Sequence, residues 1–357
     1  MTEFTISGVP VGEHHPPYFI ADIAANHDGD FDRALRLIEL AAEAGAHAAK
    51  FQNFQAAEIV SAKGFSQLGG KFSHQAKWEK SVFEVYEDAS VSWDWTARLK
   101  EHCDKVGIAY FTSPYDPESV DHVDPYVDVY KIGSGDITWI EIIEHIASKG
   151  KPVLIASGAS SMQDVERAMD ALLAKTDNVC LMQCNTNYTA SVENFRHINL
   201  NVLKSFRKRY PDVLLGLSDH THGHATVLGS IALGARVIEK HFTDDNSRVG
   251  PDHAFAMNPQ TWRDMVDRSM ELFNALGDGV KRVEDNEQET SVVQRRALRF
   301  AKDLAAGHVL SLEDFKAVRP IPEGGLAPYR VNDLVGRRLA CEVERDDMVI
   351  LEVLGND

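Results

Sequence analysis

Two histidines carry the sharpest chemical signal in the chain. His220 follows the apolar run VLLGLS (213–218), and His241 follows RVIEK (236–240). Each stands next to a carboxylate, Asp219 and Glu239. If the two runs are neighbouring strands, the imidazoles converge within metal-binding reach. Imidazole suits Zn, Mn, Fe and Co. Two protein ligands leave most coordination positions open, which suits a Lewis acid acting on a carbonyl rather than a closed structural zinc site. Asp219 and Glu239 are then expected to orient the ligands. A lone histidine is more often an ordinary core or surface residue; the pairing is what lifts these two. A second constellation is Lys50 and Lys131, each directly after an apolar run (AHAAKF and VDVYKI). With Thr112, Ser134 and Ser218 nearby, they read as a cradle for phosphate and carboxylate. A Schiff base at Lys131 and plain surface salt bridges are the competing readings.

These residues need a scaffold that brings strand ends together. Eight short β-rich runs (18–22, 46–51, 108–112, 127–132, 152–156, 178–183, 213–218 and 236–240) alternate with helical patterns. Most of the runs are continuously apolar, as parallel strands buried on both faces are. Helices are expected at 31–44, 93–106, 117–123, 139–148, 161–174, 199–209, 223–233 and 259–275. This count predicts a (β/α)8 TIM barrel over residues 1–279, with its chemistry at the C-terminal strand ends. An open doubly wound sheet is the alternative, but no GxGxxG or GxxxxGK[ST] signature supports it. Those strand ends offer Asp22, Lys50, Gln52, Thr112, Lys131, Ser134, Asp136, Gln183, Thr186, Tyr188, Ser218, His220, Glu239 and His241, with Asp252 in the loop beyond. Residues 4–12 read as a small hairpin that closes the barrel floor. Residues 53–91 form a long excursion with a helix around 78–89, and loops of this length are usually functional or flexible. A charged linker follows at 280–292, then a β-rich module of about 65 residues at 293–357, expected to dock on the barrel.

Composition narrows the class. The 357 residues include 37 Lys+Arg against 54 Asp+Glu, a formal charge of −17. That balance argues against nucleic-acid or anionic-membrane partners, which need basic surface. It leaves room for an anionic small molecule held by a few pocket lysines. Cys103, Cys180, Cys184 and Cys341 form no CxxC pair, so reduced thiols and a cytoplasmic location are expected. The first fifteen residues lack an apolar signal segment, and no run is long enough to span a bilayer.

Seven stretches go further: IADIAANHDGD (20–30), GAHAAKFQ (45–52), FTSPYD (111–116), KIGSGDI (131–137), GLSDHT (216–221), IEKHFT (238–243) and GPDH (250–253). In this order the chain resembles the sialic acid (nonulosonic acid) synthases along nearly its whole length. RPIPEGG (319–325) and DLVGRRLA (333–340) resemble that family's C-terminal SAF, or antifreeze-like, domain. The resemblance implies a metal-dependent condensation of phosphoenolpyruvate with an N-acylated hexosamine to a nine-carbon 2-keto acid plus phosphate. It implies His220 and His241 as ligands of a divalent metal, Mn2+ first, with Mg2+ or Co2+ as alternatives. It places Lys50, Thr112, Lys131, Ser134 and Ser218 on phosphoenolpyruvate. Gln52, Tyr188, Glu239 and Asp252 fall near the sugar, with Thr186 on the same rim. Asp22 and Asp136 are the candidates for proton transfer. Arg319 matches an arginine that reaches a partner's sugar, which implies a domain-swapped homodimer.

The chain also departs from the family pattern. Asp22 and Asp136 stand where glutamate is usual, and the sixth-strand motif reads Gln183-Cys184-Asn185-Thr186-Asn187-Tyr188-Thr189. These changes bear on the acceptor sugar, either N-acetylmannosamine or a 6-deoxy diacetamido hexose, more than on the reaction. Three rivals remain: a 3-deoxy sugar acid synthase, a class I aldolase through Lys131, and a decayed barrel that only binds.

Overall fold

The computed structural model describes residues 3–68, 75 and 78–355. The chain divides into two compact units, residues 1–277 and 278–357. In the first, a short hairpin of β1 (Phe4–Ile6) and β2 (Val9–Val11) precedes eight parallel strands. These are β3 (Tyr18–Asp22), β4 (Ala48–Asn53), β5 (Ala109–Pro114), β6 (Tyr130–Ile132), β7 (Val153–Ala156), β8 (Val179–Cys184), β9 (Leu214–Asp219) and β10 (Ala235–His241). They pair in the order β5-β4-β3-β10-β9-β8-β7-β6, a TIM-like barrel hydrogen-bonded at every seam but the one between β5 and β6. All eight strands and their helices lie where the hydrophobic pattern puts them.

Alternation along each strand builds two cores. Residues facing outward (Phe19, Phe51, Tyr130, Ile155, Leu217, Ile238) pack under the helices. The main helical contributions come from α1 (Phe31–Glu43), and from further along the chain Leu99 and Cys103, Met169, Trp262 and Met265. Asp30 caps α1 by accepting from the backbone N–H groups of Asp32 and Arg33. Residues facing inward (Tyr18, Ile20, Phe111, Val129, Leu154, Met182, Val237) fill the barrel and meet Phe4, Ile6 and Val11 of the hairpin. The hairpin therefore plugs the N-terminal end. Each such apolar side chain contributes roughly 1.5–3 kcal/mol by leaving water. With the floor filled, the open volume lies at the C-terminal mouth.

The excursion after β4 is helical rather than a bare loop. It holds α2 (Ala56–Ile59), α3 (Ala62–Gln67) and α4 (Val82–Ala89), the last opened by a reciprocal Ser81–Glu84 capping box. Ala56, Val60 and Val82 form a small core there, with Phe65, Trp78 and Tyr86 packed against it. The barrel helices continue with α5 (Trp93–Val106), α6 (Pro117–Val123), α7 (Ile140–Ala147), α8 (Met162–Leu173), α9 (Val202–Arg209), α10 (Ala225–Ala232) and α11 (Pro259–Leu276).

The second unit begins two residues before the expected boundary, and the stretch read as a linker contains a helix, α12 (Gln288–Val293). β11 (Ala297–Phe300) pairs antiparallel with β12 (Phe315–Val318). Leu298, Phe300, Leu310, Leu326, Leu339 and Val349 bury together, so this unit has a core of its own. Among the described residues, no helix is long and apolar enough to cross a membrane.

Candidate active site

The mouth is a cavity of about 530 Å³. Inward alternation delivers its floor. The ladder pairs His241 with Asp22, Asp22 with Lys50, Gln52 with Ser113 and Glu239 with Ser218. Asp22, Lys50, Gln52, Ser113, Lys131, Ser218, Glu239 and His241 all line the cavity. The turn residues Ser134 and Asp136, and the loop residues Thr186, Tyr188, His220 and Asp252, complete it.

The floor is a chain of buried charges. Lys50 Nζ lies 2.6 Å from Asp22 Oδ2 and 4.0 Å from Glu239 Oε1. Lys131 Nζ lies 3.3 Å from the same Glu239 oxygen, to which the Ser218 hydroxyl donates at 3.0 Å. Burial works against the Lys50 ammonium, but Asp22 and Glu239 outweigh it and hold its pKa above the ordinary lysine value. Burial likewise works against the Glu239 carboxylate, yet Lys131, Lys50 and Ser218 bring it down to about 2. Two lysines thus face Asp22 and Glu239 on the floor, and burial pushes the Asp22 carboxyl up while Lys50 opposes it. Glu239 Oε2 and Ser113 Oγ are buried with no hydrogen-bond partner among the described residues, and both residues line the cavity.

His220 and His241 stand side by side, ring centroids 5.3 Å apart, flanked by Tyr188 and Phe255. Burial, reinforced by His241, lowers His220 to about 3; burial, reinforced by Lys50, lowers His241 to about 3. Both rings are neutral at pH 7 and offer lone pairs. His220 Nδ1 lies 3.0 Å from the Asn185 carbonyl. A carbonyl only accepts, so Nδ1 carries the proton and Nε2 is left as donor to a metal. His241 Nδ1 is buried without a hydrogen-bond partner; its nearest carboxylates are Asp252 at 3.7 Å and, for Nε2, Asp22 at 3.6 Å. Among the described residues no ready group of three or more His, Cys, Asp or Glu ligands is assembled. The two neutral imidazoles, one with an orphaned nitrogen, fit an open two-histidine site for a divalent cation.

Two further carboxyls line the mouth. Burial raises Asp136 to about 6, with Lys131 opposing. Burial, together with the Asp22 charge, raises Asp252 to about 7. Both values lie where a side chain can exchange protons near neutral pH. The Thr186 hydroxyl donates to Ser134 Oγ at 2.8 Å, tying the turn after β6 to the loop after β8.

Three expectations are corrected by strand direction. Thr112 faces away from the cavity and donates to Asn53 Oδ1 at 2.6 Å; its neighbour Ser113 faces in. Gln183 also faces away, donating to the Ile198 carbonyl and accepting from Ser157. It anchors a loop and does not shape the cavity. Asp219 does not orient either histidine. It pairs with Lys240, directly opposite on the outer face of β9 and β10, and accepts from the Thr221 and Thr226 hydroxyls at 2.8 and 2.7 Å. Arg319 is exposed in the second unit, at the turn after β12.

The sequence reading also missed two supports. His253, fully buried, bridges Asp28 (2.9 Å) and Thr243 (2.8 Å), with Arg248 and Arg33 also on Asp28. This clamps the loop carrying Asp252 to the loop after β3. The second support is the excursion, which supplies Phe54, Ile59, Trp78, Val85, Tyr86 and Ala89 to one cavity wall. Ser113 and the excursion wall left no motif that spacing alone reveals.

Comparison with known proteins bears on the family. The NeuB family profile matches residues 37–281 and the SAF domain profile matches 295–350. The chain is 31% identical to N,N'-diacetyllegionaminic acid synthase of Campylobacter jejuni, over 92% of this chain and 98% of that one. It is 31% identical to human N-acetylneuraminate-9-phosphate synthase, over 97% and 95%. The crystal structure of the N-acetylneuraminic acid synthetase of Leptospira borgpetersenii, in complex with citrate, superposes with a TM-score of 0.71 at 28% identity, covering 81% of this chain and 95% of that one. These relatives are synthases of nonulosonic acids, and this chain is a biosynthetic enzyme of that synthase type. With the profile spanning most of the barrel and the full-length relatives spanning nearly the whole sequence, the chain belongs to the NeuB family.

Proposed function

We propose that this enzyme condenses phosphoenolpyruvate with the aldehyde form of an N-acylated hexosamine, giving a nine-carbon 2-keto sugar acid and phosphate. The observation that carries the reading is the meeting, on one cavity floor, of two buried ammonium groups with two neutral imidazoles. Lys50 and Lys131 hold the carboxylate and phosphate of phosphoenolpyruvate, Ser113 and Ser134 supply hydroxyl donors, and Ser218 holds Glu239 between the lysines. His220 and His241 are the residues that would hold a divalent metal, Mn2+ first and Mg2+ or Co2+ as alternatives. When bound, that ion supplies electrophilic polarisation of a carbonyl oxygen.

The chain's own residues then do the following. Lys50 and Lys131 fix the enol so that its methylene carbon faces the aldehyde carbon. A carbon–carbon bond forms between them and the aldehyde oxygen becomes a hydroxyl, taking a proton. Water adds to C2 and loses one proton; the C2–O bond to phosphate then breaks as the new C2 hydroxyl gives its remaining proton to the departing phosphate, leaving the ketone. Asp136, with its pKa near neutrality, is placed to accept and return these protons. Asp22 keeps Lys50 in place from the side opposite Glu239. Gln52, Tyr188 and Asp252 face the sugar. We propose a homodimer as the working assembly, measured by sedimentation.

The test is phosphate release from phosphoenolpyruvate with Mn2+ over a panel of acceptor sugars, with product mass read in parallel. Phosphate together with a nine-carbon keto acid supports the proposal. A chelator-resistant activity in which borohydride traps substrate on Lys131 would replace it with a Schiff-base aldolase.

A further inference from the structure

We infer that Gly158 is a positioning residue for the anion on the cavity floor: its bare backbone lets Ser134 and Thr186 meet, and their meeting aims the Ser134 hydroxyl at phosphoenolpyruvate. The inference rests on the proposed function above, which puts Ser134 among the donors to that substrate.

Three turns converge at this point. Ser134 opens the turn after β6, Gly158 lies just beyond β7, and Thr186 lies just beyond β8. Ser134 and Thr186 line the cavity, and Gly158 backs them. The Gly158 backbone has φ +54°, in the left-handed region that glycine enters without steric cost. A Cβ at this position would lie 2.3 Å from Ser134 Cβ, 2.7 Å from Thr186 Oγ1 and 3.0 Å from Ser134 Oγ. Any side chain there must push both hydroxyl residues away, because the turn is held on either side. Ser157 donates its backbone N–H to the Met182 carbonyl at 2.9 Å and its hydroxyl to Gln183 Oε1 at 3.2 Å. Its Oγ also accepts from the Cys184 N–H at 3.2 Å. Beyond the glycine, Ser160 closes back on the Gly158 and Ser157 carbonyls.

The hydroxyls form a directed chain. Thr186 donates to Ser134 at 2.8 Å. Cys184 Sγ lies 3.6 Å from Thr186 Oγ1, where the thiol is left to donate. Ser134 Oγ thus accepts, and among the described residues none takes its own proton. That proton is available to an anion in the cavity. A hydroxyl that accepts one hydrogen bond becomes a stronger donor of the next, since such chains polarise one another. Lys131 lines the same cavity and brings charge to the anion; Ser134, fixed from behind, adds direction.

Calorimetric titration of phosphoenolpyruvate into the full chain is the test. Gly158→Ala is expected to weaken binding about tenfold to a hundredfold, the range for one hydrogen bond to a charged group. Gly150→Ala, in the turn before β7, controls for backbone strain. Gly150 also has a positive φ of +72°, and a Cβ there meets nothing within 4 Å. This variant is expected to bind as the parent does. Thr186→Val keeps the shape and removes the donor to Ser134, without touching the turn that holds Gly158. It is expected to cost about threefold to tenfold. Ser134→Ala fixes the path. Added to it, Gly158→Ala is expected to weaken binding by no more than about threefold further, because the hydroxyl it displaces is gone.

The inference is overturned if Gly158→Ala or Thr186→Val binds as the parent does, or if Gly150→Ala loses as much as Gly158→Ala. It is also overturned if the Ser134→Ala and Gly158→Ala losses multiply in full. A parent chain that binds no phosphoenolpyruvate at millimolar concentration overturns the proposed function and this inference with it. Should the binding pattern hold while no acceptor sugar releases phosphate, the condensation falls and the role of Gly158 stands.

Discussion

Lys240→Met would remove one half of an ion pair that no solvent reaches. Lys240 and Asp219 have side chains about 1% exposed and lie directly opposite on β10 and β9. Lys240 Nζ also donates to the Thr221 carbonyl at 2.6 Å. Burial opposes the Asp219 carboxylate, but the Lys240 charge and the Lys240, Thr226 and Thr221 hydrogen bonds outweigh it and hold its pKa below the ordinary value. Removing one partner of such a pair costs about 3–5 kcal/mol, because the other charge stays buried. With unfolding entropy of roughly 2.1 cal/mol/K per residue over a 277-residue unit, that lowers the barrel's melting temperature by ~5–9 °C. The pH dependence has a defined sign. Without Lys240, burial raises the Asp219 pKa above its unfolded value, so stability is lost as pH rises through that window and the deficit is smaller at about pH 5 than at about pH 8. Adding Asp219→Asn removes the stranded charge and is expected to restore more than half of the loss. Scanning calorimetry of the three proteins at both pH values is the assay. A single variant melting within about 2 °C of the parent, or a double variant no better than the single, would refute the account.

Other consequences of the site are as direct. His220→Ala is expected to abolish stoichiometric Mn2+ binding in calorimetry while the fold melts normally; unchanged affinity would remove His220 from the metal site. Asp136→Asn is expected to lower kcat about 10²–10⁴-fold and to flatten the acidic limb expected of the parent below about pH 6, where the proton-accepting form is lost; a surviving limb would assign it to another group. His253→Leu removes both the Asp28 and the Thr243 hydrogen bonds that clamp the Asp252 loop. Acceptor KM should rise several-fold with phosphoenolpyruvate KM unchanged, and equal shifts in both would mean a general loss of structure.

The barrel was legible because each strand is a short apolar run closed by polar residues, and each helix has its own apolar stripe. The lysine and histidine pairs were legible because a charged or titratable residue directly after such a run must lie at a strand end. Strand direction was not. In AYFTSP every residue is buried, so nothing in the pattern says whether Thr112 or Ser113 turns inward. The ladder decides it: Lys50 and Gln52 face in, and they pair with Phe111 and Ser113. The same parity sends Gln183 and Asp219 outward beside inward Cys184 and Ser218. Packing of the excursion is a tertiary event, so its length was visible and its role as a wall was not.

Asp22 ties these points together. An aspartate at a place where the resemblance leads one to expect glutamate shortens the side chain by one methylene. Yet Asp22 Oδ2 still reaches Lys50 at 2.6 Å and lies 3.6 Å from His241 Nε2. The substitution therefore keeps the charge pattern of the floor. What it changes is the space one methylene would fill in the cavity, which Tyr86, Tyr115 and Tyr188 also line. Asp136 is likewise one methylene shorter than the expected glutamate, on the same cavity. Two shortened carboxylates keep their charge and leave more room in the mouth, while Lys50 and Lys131 stay on the floor. Of the departures from the family pattern, Asp22 and Asp136 thus act on the cavity itself, whereas Gln183 turns away from it and acts only on the loop it anchors.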